Sequence, residues 1–194
     1  MDQVDDVRGV RGCGVHSASW RVILVCMMTF LAASLSYGFA QDGANVPTNL
    51  NPPSDQRLAF RGHAIGSQIY VCQSSANGNP QFAWGLSGPE ATLTDDNGKE
   101  IAKHFAGPTW QSNDGSLVKG KVISQAAQDP NSIAWLMLTA VDHSGTGIMS
   151  NVSTIQRINT SGGKAPSGGC DAEHQGEKLR VDYTADYYFY SPAK

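Results

Sequence analysis

Hydrophobic and polar positions alternate with a period near two over most of the chain beyond residue 67. Gln68-Ile-Tyr-Val-Cys72 sets β-branched and aromatic side chains at alternate places, the pattern of a half-buried strand. Phe82-Ala-Trp84 resumes as a strand, and Gly85-Leu-Ser-Gly-Pro89 is expected to end it. Ala91–Thr94 leads into Asp95-Asp-Asn-Gly98, whose Asn-Gly step signals a hairpin, so Lys99–Phe105 is the returning strand. Alternation there puts Ile101, Lys103 and Phe105 on one face and His104 on the other. Leu117–Ile123, Asn151–Ile158 and the long Lys178–Tyr190 read as further strands, and Leu58–Gly66 as a first strand or a turn.

Ile133–Val141 breaks the pattern. It is apolar almost throughout, so both of its faces should be buried, as in a central strand. A buried helix competes, because Ala, Leu and Met favour that state. The connections, above all Ser161–Cys170, are rich in glycine, and 21 glycines in 194 residues supply many turns. Short strands between turn signals, with no amphipathic helix and no fixed repeat, predict an all-β, single-domain antiparallel β-sandwich or barrel with long Gly/Pro-rich loops over residues 58–194.

The first 57 residues carry no such pattern. Arg8, Arg11 and Arg21 precede the apolar run Val22–Leu35, and Gly38-Phe39-Ala40 offers small residues at the positions a signal peptidase reads. This is the layout of a secretory signal over residues 1–40, with cleavage after Ala40. A membrane anchor would need about 20 apolar residues, more than this run holds. No membrane span is therefore expected once the signal is removed, and the location is secreted or periplasmic. Residues 41–57, rich in Asn, Pro and Gly, read as a flexible leader.

Export changes the meaning of the four cysteines. Cys13 and Cys26 leave with the signal. Cys72 and Cys170 remain as an even pair, 98 residues apart, and point to a disulfide. Metal ligation or two free thiols are the alternatives, without a CxxC spacing to favour them. Charged residues make up only 16 % of the chain and the net charge is -3, so no basic excess is present to hold nucleic acid.

Several stretches taken together resemble a known family. They are Gln68–Cys72, Asp96-Asn-Gly98, His104–Trp110 with Asp114-Gly-Ser116, Ile133–Leu138, Ile155–Thr160 with Gly162-Gly163, Gly169-Cys170-Asp171 and the closing Tyr183–Tyr190. In this order they resemble the secreted family catalogued as domain-of-unknown-function 3455, which includes exported bacterial proteins and fungal proteins linked to infection structures. The resemblance implies export and a single domain. It carries over no reaction and no catalytic residue.

The densest chemistry lies in His104–Ser116, with a histidine, a tryptophan, an aspartate and two glycines. His104 and Asp114 are candidates for a base and its orienting acid, with Ser112 or Ser116 as nucleophile. The structural alternative makes Asp114 a turn residue and His104 a hydrogen-bonded strand residue. Trp110, read as part of a Gly/Pro/Asn-rich loop and so open to solvent, is a candidate ring for stacking on sugars, or else a core residue. Arg157 is a candidate anion contact, or the partner of Asp171 or Asp186. No histidine pair has the spacing of a metal motif, so neither a metal nor a cofactor is expected. Asn151 and Asn159 begin glycosylation sequons. These residues suggest an extracytoplasmic binding protein for a polysaccharide or an envelope or host surface component. The alternatives are a hydrolase using His104 and Asp114, and a structural envelope protein.

Overall fold

The computed structural model describes residues 45–76 and 80–193. The expected signal and its cleavage point at Ala40 lie outside the described residues. Eight strands follow one another: β1 Gln56–Ser74, β2 Phe82–Thr94, β3 Glu100–Phe105, β4 Thr109–Ser112, β5 Leu117–Ala126, β6 Trp135–Ser144, β7 Thr154–Gly162 and β8 Lys178–Pro192. Each pairs antiparallel with the next, and β8 pairs back onto β1, so one sheet closes into a barrel. Closure removes the exposed edges that an open sheet would present. Of the two expected architectures the barrel is the one formed. Among the described residues there is no α-helix, and no helix long and apolar enough to cross a membrane.

The hairpin at Asp95–Gly98 forms as its sequence requires. Asp95 Oδ1 accepts from the Asn97 and Lys99 backbone N–H groups, and Gly98 takes the positive φ of 77° that closes the turn. Gly85–Pro89, expected to end a strand, instead lies within β2. The register shifts opposite Ile69/Tyr70, and Gly88 at φ 150° absorbs the extra residue, so the turn-like composition builds a bulge. Trp110 lies not in a loop but in β4, a strand only four residues long.

Ile133–Val141 is a strand rather than a helix, with β6 starting at Trp135. Its first half is buried on both faces. Leu138 points into the barrel, whereas Trp135 and Met137 point outward into a second apolar cluster with Ile158, Tyr188, Tyr190 and Leu50. Leu50 corrects the expectation of a flexible leader. Thr48–Leu50 forms a 3₁₀ turn, Leu50 is completely buried, and the Gln156 side chain donates to its carbonyl at 2.7 Å. This strap shows no hydrophobic period because one buried side chain and a few polar ties hold it: Asn49 Nδ2 also donates to Ser124 Oγ at 2.8 Å.

The Cys72–Cys170 disulfide forms, with the Cα atoms 5.3 Å apart, and joins the end of β1 to the segment between β7 and β8. Trp84 Nε1 donates to the Gly168 carbonyl and Tyr70 OH to the Gly163 carbonyl, at 2.9 and 2.6 Å. These contacts lay residues 163–170 across that end of the barrel. Such a cross-link fits a protein folded in an oxidising compartment.

Candidate functional site

The inward positions of a small barrel are set by strand alternation, and here they grade from apolar to polar. Along β8 they run Phe189, Tyr187, Ala185, Tyr183 toward the disulfide end. Along β1 they run Ala64, Gly66, Gln68, Tyr70, Cys72 in the same direction. The far end is filled by apolar side chains, with Phe60 and Phe189 stacked at 4.4 Å.

Three rings close the middle. Alternation in β3 sends Ala102 and His104 inward, and pairing with β4 sets Trp110 beside His104. The two rings stack with centroids 4.4 Å apart and planes within 5°. Tyr187 meets both edge-on, at 5.2 Å and 5.5 Å, from the other side of the barrel. Each such contact contributes about 0.5–1.5 kcal/mol beyond burial. The lack of a side chain at Gly120 makes room for Trp110, since a Cβ there would stand 3.1 Å from Cζ3 of the indole. Trp110 is 1 % exposed, so it offers no outward platform for a sugar.

Burial drives the His104 imidazole down to about 3, against the pull of the Thr109 carbonyl, and the Arg157 charge adds to the depression. His104 is thus neutral near pH 7. Nδ1 lies 2.9 Å from the Thr109 carbonyl, which can only accept, so Nδ1 carries the proton and Nε2 the lone pair. Asp114 is engaged elsewhere. Its carboxylate accepts from Ser116 Oγ and from the backbone N–H groups of Ser116 and Ile148, at 2.5, 2.9 and 2.8 Å. The Ser116 hydroxyl first, then the Ile148 and Ser116 N–H groups, hold it down to about 2. The Met149 N–H donates to Ser116 Oγ at 3.1 Å, so the turn latches the segment that buries Met149 and Val152. The structure therefore brings His104 together with Trp110, and pairs neither His104 nor Trp110 with Asp114.

Arg157 faces inward like Ile155, two positions before it on β7. Neither Asp171 nor Asp186 is its partner. Nε and Nη2 both donate to the Ala134 carbonyl, at 3.1 and 2.7 Å, while Asp171 holds His174 and Asp186 holds His63 and Asn159. Because β7 and β3 stand on opposite sides of the barrel, the Arg157 field reaches His104 through the interior.

Around this centre the buried Gln68 Nε2 and Trp110 Nε1 have no partner among the described residues, and the buried Tyr183 and Tyr187 hydroxyls have none beyond each other. Burial, and then the neighbouring Tyr187 phenol, push the Tyr183 hydroxyl far above its usual range. In the sequence Tyr183 and Tyr187 stand out only as members of the long strand Lys178–Tyr190, and Gln68 only as the start of Gln68–Cys72. The odd-numbered members of Lys178–Tyr190 and the even-numbered members of Gln68–Cys72 were the available signal for an inward set. A second feature also went unseen. On the outer face, where β7 and β8 lose register at Ile158/Ser161, a shallow cleft of about 400 Å³ is lined by Ile65, Ser67, Ser161, Asp182 and Thr184.

Comparison with curated proteins and with solved structures returns no match. A family model does match, over residues 53–191, which takes in the strand framework from β1 through most of β8 and the cross-linked segment between β7 and β8. The chain belongs to the family described as protein of unknown function DUF3455.

Proposed function

We propose that this chain works outside the cytoplasm as a binding protein, and that the polar end of its barrel takes one small, oxygen-rich ligand. One observation carries this reading. Gln68 and Trp110 each bury a donor with no partner among the described residues, beside the buried Tyr183 and Tyr187 hydroxyls that meet only each other, and such groups are rare in native interiors unless a ligand or ordered water meets them. Eight-stranded barrels of this kind are either filled by side chains or hold one small molecule. A unit of an envelope or host polysaccharide fits the donors offered, as a terminal or single sugar entering the barrel rather than a polymer lying on an exposed Trp110. Export rests on the Val22–Leu35 signal, cleaved after Ala40, and on the disulfide.

The hydrolase reading is weaker, since His104 is bonded to Thr109 and Asp114 to Ser116 and Ile148. The structural-protein reading draws support from the ring contacts that fill the middle of the barrel. A thermal melt of the exported, oxidised protein against oligosaccharides, divalent metals and small anions separates these readings. A ligand at a hundred times its Kd adds about 2.7 kcal/mol, or roughly 5–10 °C for a domain of this size. A shift with one ligand class that is lost in Tyr187→Phe supports binding within the barrel. No shift with any class removes the small-ligand reading in favour of the structural one.

A further inference from the structure

The balance of charge inside the barrel goes beyond the presence of a ligand to its chemical class. We infer that the ligand is a small monocarboxylate carrying further oxygen acceptors, such as a sugar acid, held by Arg157. This rests on the binding reading above.

Arg157 is a permanent cation turned into the barrel, and among the described residues its hydrogen bonds go to one neutral acceptor, the Ala134 carbonyl. Among the described residues it has no carboxylate partner, and no Asp or Glu side chain is buried. Arg157 is half-buried, and a guanidinium partly desolvated without a counter-charge carries a cost that an anion supplied from outside would offset, completing the site. The charge is felt by the groups around it. It opposes the burial-driven rise of the Tyr70 and Tyr183 phenols and adds to the depression of His104.

The unpartnered atoms agree in sign. Trp110 Nε1 and Gln68 Nε2 can only donate, and the Tyr183–Tyr187 hydroxyl pair keeps one proton to donate outward. A ligand with several acceptor oxygens satisfies all of them. The planar fork of Arg157 matches a carboxylate in two parallel bonds. One cation balances one negative charge, which favours a monocarboxylate over a phosphate. The spare donors then need oxygens beyond the carboxylate, which a hydroxy acid or uronic sugar has and acetate lacks. Gly163 bounds the site, since a Cβ there would stand 2.8 Å from Tyr183 Cβ and 3.2 Å from Gln68 Cγ. A bulkier residue at this position would press on two of the proposed contacts.

The test uses the exported, oxidised protein with glucuronate, galacturonate and gluconate, against glucose, galactose, acetate, phosphate and chloride. Melting temperature and tryptophan fluorescence are the readouts. The acid sugars should bind at least tenfold tighter than their neutral counterparts and than acetate. Arg157→Met should abolish that preference, and Arg157→Lys should weaken acid-sugar binding about tenfold while keeping some preference for anions. If Arg157→Met does not fold, Gln68→Met should weaken gluconate binding severalfold. Neutral sugars binding as tightly as the acids, unaffected by Arg157→Met, would overturn the inference while leaving the binding reading in place. A response to phosphate or chloride alone would reduce Arg157 to a general anion contact and overturn the carboxylate assignment. No response to any probe would remove the binding reading and this inference with it.

Discussion

His104 should make this protein acid-sensitive well above the range where carboxylates titrate. The perturbation is a fall in pH from 7 to 4. In the unfolded chain His104 has its ordinary value of 6.5, and in the barrel burial lowers it to about 3. The unfolded state therefore binds a proton between these values that the folded state refuses, and stability falls as pH falls. The contribution is intact above pH 6.5 and is lost progressively down to about pH 3, where the folded-state ring itself protonates. Linkage gives a loss of about 2 kcal/mol by pH 5 and about 3 kcal/mol by pH 4 from this ring alone. Urea denaturation at pH 7, 6, 5 and 4 measures it, with His104→Phe as reference because Phe keeps a ring against Trp110 while removing the titration. His174, raised by its bond to Asp171, runs the opposite way and is common to both proteins, so the difference isolates His104. Equal pH slopes in the two proteins, or a His104 ring resonance that titrates near 6.5, would refute the reasoning.

Three further outcomes follow from the packing. Leu50→Ala should cost about 2–3 kcal/mol in urea denaturation, the lower part of the range for a buried leucine because the strap lies at the surface and can settle. A change below about 0.5 kcal/mol would mean that the strap is not docked. Replacing Cys72 and Cys170 with Ser should lower stability by up to about 5 kcal/mol at unchanged pH, since the bond closes a loop of 98 residues in the unfolded chain. Asp114→Asn should raise amide exchange at Ile148 and Met149 while leaving the His104–Trp110 stack intact, and faster exchange at Thr109 instead would misplace the latch. The same carboxylate, held down to about 2, stabilises the fold above its unfolded value of 3.8 and loses that effect as pH falls through about 2.

Much of the fold could be read from alternation, because a strand with one buried face shows it directly. The Asp95–Gly98 hairpin and the long β8 stand out for this reason. β4 does not, because Thr109–Ser112 is squeezed between Gly107-Pro108 and Asn113-Asp-Gly115, and turn residues dominate any window around it. That shortness also misplaces Trp110 at the surface. Alternation separates the faces of β3 without saying which is inside: Phe105 faces solvent and His104 the interior, because His104 finds Trp110, Tyr187 and the Thr109 carbonyl there. Arg157 was recognised as needing a partner. Its facing an interior empty of carboxylates depends on closure of the sheet, which no local pattern encodes.

The seam between β1 and β8 bears on how the molecule comes to be made. The register runs from Gln56 opposite Pro192 to Val71 opposite Lys178, so the first strand completes its pairing only with the last. Contacts this distant in sequence make folding slow, because a long loop must be closed before any of them forms. A chain threaded N-terminus first through a membrane cannot zip this seam until its final residues have crossed, and Cys72 waits equally for Cys170. In an exported chain this topology would defer closure to the far side, where oxidation can seal it.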